Sequence, residues 1–375
     1  MLKRLLAKPL GFYGFLVVGL LICGWIYSKK SGVADLLLDG PVGNDHANNP
    51  KANDSLGQSA WLRPTQQHDA SIDGNDPLAM VELIGDQTSA AVAYEAFHHL
   101  KEWLARGPAQ VDQAVAKLTH PGSGSTADKR QRSLVYGALA ETNVPEAASG
   151  LVALVHGATT DDDLMQAVGA IADHRSPTQA ALPALWHAYE TNTGPAKNMS
   201  LLAFGSAAYH LERAAGPPGD AADKLLAAYA AMPGEEGRIE IISAMGNHGS
   251  ERYFEVLKTA VRDQSELVRK VAVYALRFHS GPGAGALLAD TATQDAGEKI
   301  KAQAIEALAT QLDQRRDYGR VTKVALSSRD PQVQLAAAVV LTEAKARGGS
   351  PEIDQAIAAL RSGSSIGQVQ AFLGG

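Results

Sequence analysis

RIEIISAMGNHGS (238–250), VRKVAVYALRFHSGPG (268–283), IKAQAIEALATQL (300–312) and VQLAAAVVLTEA (333–344) are four versions of one phrase within residues 237–342. Their central apolar residues follow one another at steps of 31, 32 and 33: Met245, Leu276, Leu308 and Leu341. A fixed step of this size with helical periodicity inside each unit is typical of stacked helical hairpins. The stretch therefore predicts an all-α fold, an α-solenoid.

The same phrase occurs three more times nearer the N-terminus. The equivalent central residues are Leu139, Ile171 and Phe204, at steps of 32 and 33. We call all seven the column residues. The step from Phe204 to Met245 is 41 residues, which predicts an insertion, and AGPPGD (215–220) is its expected place because Gly and Pro interrupt helices. About seven repeats follow.

The units share a further pattern that carries a family resemblance. An acidic residue precedes the first helix, and an aliphatic–basic pair lies within it, with Gln in place of the basic residue in the last unit: Asp263 with Val268-Arg269, Asp295 with Ile300-Lys301, and Asp330 with Val333-Gln334. These units resemble HEAT repeats of the short, armadillo-like helical variety. The resemblance implies a HEAT-like α-solenoid over residues 76–375, clearest over 130–365.

A fainter resemblance concerns two other phrases. GALAETNVPEAASGLVALV (137–155) and ISAMGNHGSERYFEVLKTAV (242–261) are similar to the helical domain of large lipid-transfer proteins of the vitellogenin type. That resemblance implies a lipid-binding or lipid-carrying helical module as an alternative function.

The N-terminus has a different character. Residues 9–28 contain no charged side chain, and twenty helical residues span about 30 Å, the thickness of the hydrocarbon core of a bilayer. Basic residues precede the run at Lys3, Arg4 and Lys8. Residues 1–30 are therefore predicted to be a transmembrane signal anchor in an inner membrane, with a cytoplasmic N-terminus and an extracytoplasmic solenoid. A cleaved signal peptide is the alternative, although no A-x-A-like site follows.

Residues 31–75 are rich in Asn, Asp, Gly, Ser and Pro and have little periodicity. This composition predicts a flexible polar linker between the anchor and the solenoid. Leu36–Leu38 and Trp61-Leu62 are isolated apolar spots, which could instead dock on the solenoid.

Charge and cysteine content restrict the kinds of partner and of covalent cross-link that the chain can have. The net charge is −6, and the first thirty residues hold five basic and no acidic side chains, which leaves −11 for the remainder. An acidic body argues against a nucleic-acid partner, because phosphates are bound chiefly by Lys and Arg. Cys23 is the single cysteine and lies in the predicted anchor, so no internal disulfide can form.

Three histidines follow column residues by three positions: His174, His248 and His279. They are weak candidates for metal ligands, since neighbouring helices pack about 10 Å apart and two imidazoles would share one ion only with difficulty. Histidine near a helix C-terminus instead favours a capping role. No metal site and no cofactor are predicted.

Basic side chains supply the candidate surface for a protein partner. The six chosen residues are Arg269, Arg277, Lys301, Arg315, Arg316 and Arg320. Asp313 and Asp317 interleave with the last three, so a solvated helix face is the alternative reading there.

Enzymatic motifs are missing from the linear sequence. GSSIG (363–367) matches G-x-S-x-G in spacing alone, since a helical pattern and no strand precedes it, and the chain has none of the repeated His-Glu dipeptides of iron-binding HEAT-like hydroxylases. The sequence thus predicts a membrane-anchored scaffold for protein–protein interaction that is not an enzyme. A lipid-binding module and an enzyme whose site is hidden from linear sequence are the alternatives.

Overall fold

A computed structural model describes residues 76–120, 122–216, 220–232, 234–279, 281–313, 318–328 and 330–374. No strand occurs within these ranges. The helices are α1 (Pro77–Glu82), α2 (Ala90–Leu104), α3 (Pro108–Thr119), α4 (Thr126–Glu141), α5 (Pro145–Gly157), α6 (Asp161–Asp173), α7 (Ala181–Thr191), α8 (Gly194–Ala215), α9 (Ala221–Ala231), α10 (Glu235–His248), α11 (Phe254–Ala260), α12 (Glu266–Leu276), α13 (Pro282–Gln294), α14 (Glu298–Asp313), α15 (Tyr318–Ser327), α16 (Pro331–Gly348), α17 (Pro351–Gly363) and α18 (Gly367–Gly374). A 3₁₀ turn, Glu251–Tyr253, precedes α11.

The helices form two layers of a continuous stack. The even-numbered helices, from α2 to α18, each pack on the next one in the series. We call them the first helices. The intervening second helices form the other layer, from α3 to α17. The described part of the chain is thus all-helical and built from stacked hairpins, as the sequence predicts.

Burial of the column residues confirms the predicted register. All seven lie on first helices with at most 1% of their surface exposed. They belong to one apolar core that runs from α1 to α18. No hairpin could bury both of its apolar faces alone, so stacking supplies the core.

Sequence signals at the helix ends account for the hairpin boundaries. Side chains of Ser125, Thr160, Ser265 and Ser350 accept hydrogen bonds from backbone N–H groups of the first turn that follows them. Proline begins α3, α5, α13, α16 and α17, where its missing N–H costs nothing.

Polar contacts link consecutive units along one edge of the stack. The residue seven positions before a column residue reaches to a polar residue of the next unit. The contacts are Arg132 to Asp163, Arg238 to Asp263, Arg269 to Asp295, Lys301 to Asp330, and Ser364 to Gln334. We call this set the ladder. It explains the aliphatic–basic pairs, because the aliphatic member enters the core and the polar member spans two units.

The long step between Phe204 and Met245 arises inside a helix. Helix α8 has 22 residues, whereas α6 has 13, and α8 continues to Ala215 before Gly216 ends it with a φ of 86°. The insertion was expected in AGPPGD (215–220). Most of the extra length is helical instead, because Ala207, Ala208 and Leu211 are buried and extend the core.

Glycines permit the closest approaches between first helices. A Cβ on Gly205 would overlap the carbonyl oxygen of Ala244, and a Cβ on Gly246 would lie 2.9 Å from Cα of Ala275. Backbone atoms cannot yield as a flexible side chain can. These two positions therefore set the spacing of α8, α10 and α12.

We expect Gly205→Ala to lower the free energy of unfolding by about 1–3 kcal/mol, the usual cost of forcing atoms into a packed interior. Denaturant unfolding followed by circular dichroism measures it. Gly157→Ala is the matched control, since a Cβ there meets nothing within 4 Å. Equal stability of the two variants would show that α8 and α10 can separate without cost.

The predicted anchor (9–28) and linker (31–75) lie outside the described residues. Within the described ranges, no helix is both long enough and apolar enough to cross a membrane.

Candidate functional site

Two of the predicted binding-surface residues contribute to the ladder. Nε of Arg269 lies 3.0 Å from Oδ2 of Asp295, and its Nη1 donates to the carbonyl oxygen of Asp263 at 2.9 Å. Nζ of Lys301 lies 3.9 Å from Asp330. The charges of these two side chains are thus engaged within the chain, and their role in partner binding stays a prediction.

Arg277 is held by aromatic rings of its own helix end. Its guanidinium carbon lies 3.1 Å from the ring centroid of Tyr274 and 4.2 Å from that of Phe278. Burial lowers the pKa of Arg277 to about 10. A guanidinium stacked on rings in this way is a cation–π contact that rigidifies the end of α12.

Of the last three predicted residues, the structure describes Arg320 alone. Arg320 and Lys323 line a shallow cavity of about 480 Å³ on α15. Arg315 and Arg316 lie outside the described residues, so the predicted basic cluster is described only in part.

Two of the three histidines make the same contact with the backbone. Nδ1 of His174 accepts from the N–H of Ser176 at 3.1 Å, and Nδ1 of His279 accepts from the N–H of Gly281 at 3.2 Å. Both rings thus turn toward the chain leading into the second helix, rather than capping the carbonyls of the first. Burial, with His210 nearby, lowers the pKa of His174 to about 4.

The third histidine joins three elements. Nε2 of His248 lies 2.7 Å from Oε1 of Glu212 in the extension of α8, although it is poorly aligned for a hydrogen bond. Nδ1 lies 2.5 Å from the hydroxyl of Tyr253. Since a carboxylate only accepts, Nε2 carries the proton and the Tyr253 hydroxyl donates to Nδ1. Tyr253 is fully buried and its pKa is raised by burial, which keeps it a donor.

The buried histidines predict a pH-dependent stability. A folded-state pKa of about 4 for His174, below its ordinary 6.5, means that stability is fully present above pH 6.5 and is lost as the pH falls toward 4. We expect His174 to contribute about 2–3 kcal/mol of this loss. In His174→Asn, a side-chain oxygen can still accept from the N–H of Ser176 without titrating, so the loss should shrink.

Urea unfolding at pH 7.5, 5.5 and 4.5 measures that difference. His187→Asn, at an exposed position on α7, is the control and should behave as the parent protein does. If His174→Asn lost as much stability as the parent over this range, protonation of His174 would not be the cause.

No metal centre forms among the described residues. No group of three or more His, Cys, Asp or Glu side chains in those ranges is placed to hold an ion. His174, His248 and His279 lie in separate units, each with its own contacts.

A cavity of about 830 Å³ opens at the ladder edge beside the turn from α11 to α12. Two of its three cations contact acids, Arg238 with Asp263 and Lys258 with Glu255, and Arg262 is the third cation beside Glu235. The mixed lining gives it little preference for a ligand of either sign.

The outward face of the first helices has a different charge pattern. Positions two before and two after a column residue point about 200° away from it, hence away from the core. Position 240 lies three residues before such a position and shares the face. Five carboxylates lie on it, and we call them the acidic row: Glu141, Asp173, Glu240, Glu306 and Glu343.

Several carboxyl groups of the acidic row lie in surroundings that disfavour the charged form. Burial, followed by the charge of Glu141, raises the pKa of Asp173 to about 6. Burial, followed by the charge of Glu343, raises the pKa of Glu306. Burial also raises the pKa of Glu240. Asp173, Glu306 and Glu343 form no ion pair with any described residue, whereas Glu141 contacts Lys101. A cation placed on this face would relieve both repulsion and desolvation.

One end of the acidic row borders a groove. Between α14 and α16 lies a cavity of about 380 Å³, more enclosed than the other two, with a partly apolar lining. Its lining residues are Glu306, Ala309, Thr310, Tyr318, Val339, Val340, Glu343, Ala344 and Arg347. Val339 is 36% exposed, so the groove offers apolar surface beside two carboxylates.

Sequence reasoning singled out basic residues and missed the acidic row. A usable signal existed, because Glu141, Asp173 and Glu343 each stand two residues after a column residue. Reading every unit at one outward offset would have found them.

Comparison with known proteins agrees with this architecture. A family model described as HEAT repeats matches residues 222–309. These residues are HEAT repeats. The resemblance drawn from the Asp and aliphatic–basic pattern is thereby confirmed, whereas the fainter resemblance to vitellogenin-type proteins stays a prediction. A search of curated proteins found no match.

Among solved structures, the chain is similar to human deoxyhypusine hydroxylase in complex with glycerol. The two share 15% identity over 72% of this chain and 97% of that chain, with a TM-score of 0.30. A match at this level carries no argument about a site or a substrate.

The sequence-based conclusion that the chain is not an enzyme is wrong. The matched human protein is a hydroxylase, hence an enzyme. The physical reason is that stacking brings together residues about 30 apart in sequence, as Arg132 and Asp163 are, so missing linear motifs do not decide the matter. The distant match assigns no activity to this chain.

Proposed function

We propose that this protein is a membrane-anchored HEAT-repeat scaffold that binds a basic, partly apolar segment of a protein partner along the acidic row. The described residues supply a helical-repeat stack with a defined register. Residues 9–28 would hold it to an inner membrane, with the stack on the extracytoplasmic side.

One observation carries the binding part of the proposal: the groove between α14 and α16 combines apolar lining with two glutamates and a single arginine, Arg347. Apolar side chains of a bound segment would fill it beside Val339 and Val340, and Lys or Arg would meet Glu306 and Glu343. Charge of this kind fixes orientation and association rate, and the apolar contact holds the complex.

The remaining acidic row would extend the contact. Glu240, Asp173 and Glu141 lie on the same outward face of earlier units, on α10, α6 and α4. Repeat proteins bind extended partners along such surfaces. The formal charge of −11 outside residues 1–30 complements a basic partner and disfavours a nucleic acid.

A peptide-binding experiment tests this surface. The full chain in lipid nanodiscs is titrated with a fluorescent Lys/Leu peptide and with a Glu/Leu peptide of the same apolar pattern, and anisotropy is recorded. We expect the Lys/Leu peptide alone to bind, more weakly as salt rises. Glu306→Gln with Glu343→Gln should weaken binding about tenfold, which corresponds to about 1.4 kcal/mol.

Glu102→Gln with Glu146→Gln is the matched control. Both glutamates are exposed, lie outside the acidic row, and change the net charge by the same amount. Equal weakening by both double variants would show general charge attraction and sink the site assignment. Lipid found by native mass spectrometry in place of peptide binding would favour the lipid-carrying alternative.

Membrane topology is a separate part of the proposal. Three basic side chains before residues 9–28 predict a cytoplasmic N-terminus. A C-terminal alkaline phosphatase fusion should therefore be active in bacterial cells, and a C-terminal green fluorescent protein exported by the same route should be dark. The reverse pattern would place the solenoid in the cytoplasm, and release of the protein by carbonate would contradict the anchor.

A further inference from the structure

Large apolar side chains are exposed at the first two helices, whereas most large apolar side chains elsewhere in the described ranges are covered. Leu83 is 59% exposed, Val92 50% and Tyr94 62%, whereas the other large exposed apolar residues of the described ranges are Val339 and Phe372. Leu83 directly follows α1, and Val92 lies in the first turn of α2, so both flank the same turn, whereas Tyr94 points about 200° around the helix from Val92.

Position in the stack explains why this end is uncovered. Helix α2 packs on α4 with its buried side, which carries Ala96, Leu100 and Trp103. Only the short helix α1 precedes α2 in the described ranges, and although it packs on α2 and α4, it leaves Leu83 and Val92 exposed. Repeat stacks need a covering element at each end because the last unit cannot bury its outer face.

The chain itself offers a covering segment. Residues 55–68, SLGQSAWLRPTQQH, contain Leu56, Trp61 and Leu62 and no acidic residue, within an otherwise acidic stretch. Arg63 adds a positive charge beside the apolar pair. The exposed surface around the turn carries the opposite sign, with Asp86 and Glu95.

Chain length permits the contact. Fourteen residues separate Leu62 from Asp76, and an extended chain of that length reaches about 45–50 Å. Helix α2 has 15 residues and is about 22 Å long. The far end of the stack is out of reach, because α18 lies eight first-helix steps from α2, or about 80 Å.

We propose that Trp61 and Leu62 pack onto the exposed surface around Leu83 and Val92, and that this segment is the N-terminal cap of the solenoid. Arg63 then lies near the carboxylates of Asp86 and Glu95. The contact is independent of the groove beside Glu306 and Glu343, which lies toward the opposite end of the stack.

Disulfide trapping in the full chain tests the proposal. In a Cys23→Ser background, Leu62→Cys with Val92→Cys should form a disulfide within one chain under mild oxidation, identified by peptide mass spectrometry. The matched control, Leu62→Cys with Phe372→Cys, places an equally exposed partner beyond reach and should stay reduced. Circular dichroism confirms that both variants are folded.

Each other outcome overturns the proposal. A disulfide between two chains would mean that a second copy covers this end. Equal trapping in both pairs, or none in either, would show that residue 62 does not settle on α2. A variant without new cysteines gives a second readout: Trp61→Ser with Leu62→Ser should speed hydrogen exchange at residues 83–94 several-fold, and unchanged exchange contradicts the cap.

Discussion

Burial of one large side chain per first helix is the constraint on which the structure depends. Each column residue is enclosed by its own hairpin and by its neighbours, and none exceeds 1% exposure. A hairpin that slipped by one residue would turn this side chain out of the core, which at about 25 cal/mol per Å² of apolar surface is costly. Gly205 and Gly246 then permit the approach that closes the core, so spacing and register are set together.

Once the register is set, the polar side chains at the two edges have little freedom. The ladder residues always stand seven positions before the column, and this offset brings them to the polar groups of the next unit. Three positions after the column, His174 and His279 receive a backbone N–H from the following turn. His248 receives a tyrosine hydroxyl instead, because the extension of α8 supplies Glu212 on its other side. Edge residues are therefore committed to joining units.

This commitment explains what could and could not be predicted from the sequence. The repeat period and the column residues depend on local pattern, and these expectations agree with the structure. The contacts of Arg269 and Lys301 depend on residues 26 and 29 positions away, which no local pattern reveals. The extension of α8 was misplaced because AGPPGD signals where a helix ends and says nothing of how far the preceding helix runs. The exclusion of enzymes failed for the same reason, since stacking creates neighbours that are distant in sequence.

The side chains at the outward positions of the first helices, two before and two after a column residue, are not needed for the contacts that join the units. A carboxylate two residues after a column residue lies too far around the helix to reach the ladder edge, and it lies near outward-facing side chains of the neighbouring unit. Where both are acidic, as with Asp173 beside Glu141 and Glu306 beside Glu343, the repeat itself generates repulsion. Such repulsion lowers stability and persists at no benefit to folding. A basic partner bound to this face would replace the repulsion between carboxylates with attraction to its own cations. The same periodicity that builds the core therefore also repeats the carboxylates that would bind the partner.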